Sequence, residues 1–175
     1  THYIEHLAPI SVIMGIPLLF VDEKDAEIAK KYYPQIKGEQ QEFHEFNPEY
    51  LIANYDILFM SDLWDRTVFR QKFALLEKKY GKMLRNVHCP HGFSDKGFYL
   101  KKTAMEDITL IYGQNMIDQL KEEKVFDQIH EYVVCGNYRY AYFNKHKAFY
   151  QNIYNQEVGS KLYNEGALTI LYAPT

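Results

Sequence analysis

Apolar positions along this chain alternate between two kinds of pattern. From His6 to Met14, Leu7, Ile10 and Met14 recur at helical spacing, with Pro9 early, where a missing N–H is harmless, and Gly15 as the stop. Leu18–Val21 is a short unbroken apolar run, as expected of a strand covered on both sides. Asp22 can cap a helix from Glu23 to Tyr33 that Pro34 ends. Gln35 to Phe46 is polar and reads as loop, with room for a short edge strand. Asn47-Pro48 caps a short helix through Asn54, and Asp56–Ser61 reads as a second buried strand.

A helix from about Asp65 to Tyr80 carries Phe69, Phe73, Leu76 and Tyr80 on one stripe, with Gly81 as its terminator. Met83–His88 is the third strand. Ile108, Leu110 and Ile111 mark another within Met105–Ile111, ending at Tyr112-Gly113, and a helix follows from Gln114 to Glu123 with Met116, Ile117 and Leu120 inward. Tyr132–Gly136 reads as a buried strand holding Cys135 in its core. The tyrosine-rich piece from Tyr138 to Tyr163 reads as one or two helices broken near Gly159, and Leu168–Ala173 as a last strand.

Strands alternating with helices predict an α/β fold: three layers around a mostly parallel, doubly wound, Rossmann-like sheet of five or six strands, in one domain over residues 1–175. Ligands bind such sheets beyond the carboxyl ends of the strands. The exits are His88–Gly97, Ser61–Arg66, Tyr112–Asn115 and Gly136–Arg139. They nominate His91, Asp62, Gln114, Asn137 and Arg139 for one common edge, with His6 facing the same cleft.

Composition narrows the function. The 175 residues are 47% hydrophobic and 16% aromatic, with 16 Tyr and 11 Phe, which argues against disorder. A net charge of −3 offers no broad attraction for nucleic acid. Two cysteines make no disulfide scaffold. The apolar run Ile10–Val21 is too short to span a bilayer and contains Gly15 and Pro17. No basic leader precedes it, so a cytoplasmic location is expected. Thr1 in place of an initiator Met, and a strand-like run as the last element, read as two cut ends.

The densest chemistry lies in Asn86–Gly97. Neutral His91 can take a proton from a substrate hydroxyl near neutral pH. Gly92 lets backbone N–H groups approach a bound oxyanion. Ser94 offers a hydroxyl, Asp95 an orienting carboxylate and Lys96 a phosphate-facing cation, and Arg139 could bind a phosphate. The plainer alternative is a turn shaped by Pro90, Gly92 and Gly97 around a surface imidazole. His88, Cys89 and His91 lie close together but match neither paired-ligand zinc pattern, so no metal site is expected. As a nucleophile Cys89 would need an orienting partner, and His88 points to the opposite face of the strand. The dinucleotide fingerprint, the Walker A loop and the G-x-S-x-G elbow are absent.

These pieces carry a family resemblance. His91-Gly92 followed by Lys96 looks like the HG loop of the CDP-glycerol glycerophosphotransferases of teichoic-acid-type cell-wall or surface polymer biosynthesis, with Pro90 where a tryptophan often stands. Cys135-Gly136-Asn137-Tyr138-Arg139-Tyr140 resembles that family's G-x-P-R-x-D segment, with Tyr138 at the proline position and Tyr140 at the aspartate position. Ile170-Leu171-Tyr172-Ala173-Pro174-Thr175 is similar to the run that precedes its C-terminal lobe, and His6-Leu7-Ala8-Pro9 to the start of related acceptor lobes.

The resemblance implies the N-terminal acceptor lobe of a two-lobed GT-B transferase, with residues 168–175 leading toward a C-terminal donor-binding lobe that this chain lacks. It implies His91 as general base, Gly92, Ser94, Lys96, Asn137, Arg139 and His6 as substrate or phosphate contacts, and Asp95 as orienting carboxylate. It implies CDP-glycerol or another nucleotide-activated donor in the full-length protein, no cofactor held by this lobe, a polyol phosphate or glycan acceptor, and peripheral association with the inner membrane face. The isolated fragment is expected to be inactive. Two alternatives stay open: the same lobe of a nucleotide-sugar-dependent GT-B glycosyltransferase, and a non-catalytic α/β ligand-binding module.

Overall fold

The structure is a computed structural model that describes residues 3–20, 22–40, 47–61, 66–90 and 97–162. The chain divides into two compact units, Thr1–Arg139 and Tyr140–Thr175. In the first, the elements run α1 (Ile4–Met14), β1 (Leu18–Phe20), α2 (Glu23–Tyr32), β2 (Gly38–Gln40), α3 (Pro48–Asn54), β3 (Ile57–Met60), α4 (Arg66–Tyr80) and β4 (Arg85–His88). A 3-10 segment Gly97–Met105, β5 (Ile108–Ile111), α5 (Gln114–Glu122), a 3-10 turn Phe126–Gln128 and β6 (Glu131–Val134) follow.

Local chemistry accounts for the boundaries. Asp22 accepts a hydrogen bond from the Lys24 N–H (2.8 Å) and starts α2. Asn47 accepts from the N–H groups of Glu49 (3.1 Å) and Tyr50 (3.2 Å), with Pro48 in the first turn of α3. Gly15 takes φ 68°, a left-handed conformation that ends α1 at little steric expense.

Among the described residues all strand pairings are parallel, in a two-stranded sheet β1-β2 and a four-stranded sheet β3-β4-β5-β6. The four strands follow in sequence order, so right-handed crossovers must all lie on one face. The packing agrees. Leu58 and Asn86 are register partners, and Leu58 packs with Phe73 of α4; Ile111 packs with Met116 and Leu120 of α5 and with Ala104. Val87, Cys89 and Leu110 point the other way, onto Ile10 of α1 and Tyr138. β4 and β5, covered on both faces, are the centre of this layer.

The expected continuous sheet is opened in the middle. β1, not β2, faces β3 across an apolar cavity of about 410 Å3, lined from α1 by Leu7, Ile10 and Met14, from α3 by Leu51 and from the residue after it by Tyr55. The step from β1 to β2 and the run from β3 to β6 therefore proceed in opposite directions, and the change of winding falls at this gap. A separate core holds the outer pair: Ile4 and Ala8 of α1 meet Phe20 and the Ala26 and Ala29 face of α2. Gly38 is required there, because a Cβ on it would lie 2.6 Å from the Phe20 ring.

Some expectations from pattern fail on burial. Ile57 at the start of β3 is 49% exposed, and Tyr132, Val133 and Val134 of β6 are each about half exposed. Among the described residues β6 is bonded to β5 alone, at the end of the four-stranded sheet, and its apolar run reflects strand propensity more than burial. Cys135 is accordingly exposed and not in a core. Tyr80 leaves the apolar stripe of α4: it is 42% exposed, and its hydroxyl donates to Glu49 (2.7 Å), which also takes Lys79 (2.6 Å). Val21, residues 41–46, 62–65 and 91–96, and the strand expected at 168–173 lie outside the described residues.

The second unit continues α6 (Tyr138–Lys145) and adds α7 (Lys147–Tyr154), a π turn Asn155–Gly159 and a short helical turn Ser160–Leu162. The main break falls at His146, earlier than the expected one near Gly159, where the backbone instead widens into the π turn. Aromatic rings hold the two helices together: Phe143 stacks on Tyr150 (5.5 Å) and Tyr142 lies against His146 (4.4 Å). Among the described residues no helix is long and apolar enough to cross a membrane.

Replacing Asn47 with alanine removes the cap of α3, which supplies buried Leu51 and Ile52 to the core. The expected loss is about 1 kcal/mol of unfolding free energy, read as a lower urea midpoint at unchanged slope.

Candidate functional site

The carboxyl ends of β5 and β6 open onto a cavity of about 420 Å3, lined by Tyr112, Gly113, Gln114, Asn115, Met116, Asn137 and Arg139. One wall is the start of α5. No side chain caps that helix, so the N–H groups of Gln114 and Asn115, which by position have no acceptor within the helix, are available to a ligand. The helix dipole adds positive potential at the same end.

The opposite wall is built by the turn after β6. Cys135 N–H donates to the Ile111 carbonyl (2.9 Å), carrying the ladder one residue past the strand, and Gly136 at φ 68° then reverses the chain. Tyr138 drops into the core beside Ile10, Val87, Cys89 and Leu110, and its hydroxyl donates to the His6 carbonyl (3.0 Å). With Tyr138 fixed inward, Asn137 and Arg139 on either side of it reach the cavity.

Arg139 is tied to α1. One guanidinium nitrogen lies 3.1 Å from His6 Nδ1 and the other 3.7 Å from Glu5 Oε2, while His6 Nε2 lies 3.5 Å from Glu5 Oε1. Tyr112 donates to the Pro90 carbonyl (2.6 Å), and its ring sits 5.8 Å from that of Tyr138. Burial raises the pKa of both phenols above the ordinary tyrosine value, so both stay protonated donors. Desolvation also raises the Cys135 thiol, which rules against a ready thiolate there. Cys89 is fully buried in the core, away from the cavity lining.

Of the residues nominated from sequence, Gln114, Asn137 and Arg139 meet in one cavity. His6 joins them indirectly: it is 5% exposed, bonds to Arg139 and is not part of the lining. Asp62, His91, Gly92, Ser94, Asp95 and Lys96 lie outside the described residues. Pro90, immediately before His91, is held by Tyr112 of the cavity wall. Sequence reasoning named the Tyr112–Asn115 exit but passed over Tyr112 and Asn115 as individuals, and it missed Glu5. Among the described residues no group of three or more His, Cys, Asp or Glu side chains is placed to hold a metal ion. Comparison with protein-family models, with curated proteins and with solved structures finds no match.

Tyr138→Phe keeps the ring and removes the bond to His6. It should lower stability by about 1 kcal/mol in urea unfolding, the usual net worth of a buried hydrogen bond; unchanged stability would show that the hydroxyl contributes nothing to the closure.

Proposed function

We propose that this chain is the acceptor lobe of a GT-B transferase, and that the cavity at the ends of β5 and β6 receives a phosphate-bearing substrate. The observation that carries this reading is the convergence of an uncapped helix start and an arginine on one cavity. Charge-assisted bonds from a guanidinium and from helix N–H groups suit a phosphate oxyanion. The amides of Gln114, Asn115 and Asn137 can serve the hydroxyls of a polyol, each offering donors and an acceptor.

The resemblance to CDP-glycerol glycerophosphotransferases gives the reaction: glycerol phosphate moves from CDP-glycerol to a polyol or glycan hydroxyl. His91 takes the hydroxyl proton as the acceptor oxygen forms its bond to the β-phosphorus. The bond from that phosphorus to the bridging oxygen breaks, and CMP leaves with the electron pair. What supports this role is that the residue preceding His91 in the chain, Pro90, is held by Tyr112 of the cavity wall. Positioning and charge stabilisation are then the work of the lobe.

Two outcomes are expected. Glycerol phosphate titrated into the chain should shift amide resonances of residues 112–116 and 137–139, and Arg139→Ala should weaken binding by roughly ten- to a hundredfold, the worth of a charged hydrogen bond. Unaltered affinity in that variant would remove the anion-site reading. In a protein that joins this chain to its donor-binding lobe, His91→Ala should leave glycerol phosphate binding intact while transfer from CDP-glycerol falls by at least about a hundredfold. Near-normal turnover would leave the imidazole without its role.

A further inference from the structure

Arg139 reaches the cavity with an imidazole at its back, and that contact has only one chemically consistent form. A guanidinium has donors and no acceptor. His6 Nδ1, 3.1 Å away, must therefore accept, which leaves the ring neutral with its proton on Nε2, directed at Glu5 Oε1 3.5 Å away. The ring is fixed from several sides: its side chain is 6% exposed, and the Tyr138 hydroxyl holds the carbonyl of the same residue.

We propose that His6 is a positioning residue: its neutral imidazole orients the Arg139 guanidinium toward the cavity, so that anion binding there is linked to the protonation state of His6. The inference rests on the reading of the cavity as an anion site and adds its regulation. The titratable and charged groups around the ring include Glu5 from α1, Arg139 and Tyr138 from the start of α6, and Tyr112 from the end of β5 beyond them.

Protonating Nδ1 would put an N–H where the guanidinium N–H already points. Donor then meets donor and cation meets cation. Arg139 has to turn away, and the Glu5 carboxylate, 3.7 Å from its second nitrogen, is placed to receive it. The cavity loses an oriented cation, so affinity for an anion falls as pH drops through the titration of His6. Tyr112 and Tyr138, held protonated by burial, do not change charge in this interval.

Sulfate is the suitable probe, because it remains a dianion where phosphate and imidazole both titrate. Its binding to the full chain is measured by amide chemical shifts between about pH 5 and 8, the range in which an imidazole changes charge. The wild type should bind several-fold more tightly at the upper end. His6→Ala should bind weakly throughout. His6→Asn, whose Oδ1 accepts without titrating, should restore most of that loss and flatten the profile, and imidazole 15N shifts of the wild type should report the Nε2–H tautomer at high pH. An Nδ1–H tautomer, or a pH profile that survives in His6→Asn, overturns the proposal. If Arg139→Ala binds sulfate as the wild type does, the anion site itself is wrong. If Arg139→Ala loses binding while His6→Ala keeps the wild-type profile, only the positioning role is wrong.

Discussion

A single hydroxyl closes this structure on itself. Tyr138 donates to the carbonyl of His6 across 132 residues of chain, and its ring fills the core between Ile10 of α1 and the strands β4 and β5. That bond, the packing of the Tyr138 ring on Ile10 and the contacts of Arg139 together hold the turn after β6 against α1. With the turn held there, Asn137 and Arg139 are presented to the cavity and Arg139 is within reach of Glu5 and His6. The aromatic body supplies apolar burial and the polar tip supplies direction, a combination that tyrosine offers and phenylalanine does not.

The topology explains why the opening sits where it does. Strands β3 to β6 are laid down in order, with α4, the 97–105 segment and α5 on one face and α1 on the other. Every strand therefore exits at the same edge, and each exit must turn before its crossover begins. Backbone groups in those turns have no ladder partners, and the first turn of α5 adds two more free donors by geometry alone. A parallel sheet thus produces a polar rim at its carboxyl edge as a consequence of its hydrogen bonding, and the cavity at β5 and β6 is one sector of that rim.

Much of the scaffold was legible because its signals are local. Asp22, Asn47-Pro48 and Gly15 act within a few residues of themselves, and all of them cap or end helices where their chemistry says they should. Burial was less legible. Tyr132–Gly136 reads as a buried strand, yet position within the sheet decides cover, and among the described strands β6 lies at an end. Tyr80 has the right spacing for the core stripe of α4, but Glu49 offers its hydroxyl a partner outside. The site was legible in outline, since Gln114, Asn137 and Arg139 follow from the rule that ligands collect at strand exits. The Arg139–His6 contact was not, because the two residues are 133 apart and no periodicity links them. They meet through tertiary closure, in which Tyr138 packs on Ile10 and bonds the His6 carbonyl.

The electrostatic character of that contact bears on what the cavity can do. An arginine clasped by two carboxylates would be neutralised and of little use to an incoming anion. At Arg139 the Glu5 carboxylate lies at 3.7 Å, longer than a direct charged hydrogen bond, while a closer contact at 3.1 Å comes from an imidazole nitrogen that accepts without carrying negative charge. That imidazole steers the guanidinium without itself discharging it. In a chain whose net charge is −3, long-range attraction for a phosphate ester is absent, and local field must supply the selectivity. Half-burial of the cation and the adjacent start of α5 reduce solvent screening where that field is needed, so the neutral partner on one side of Arg139 is as consequential for anion binding as the charge itself.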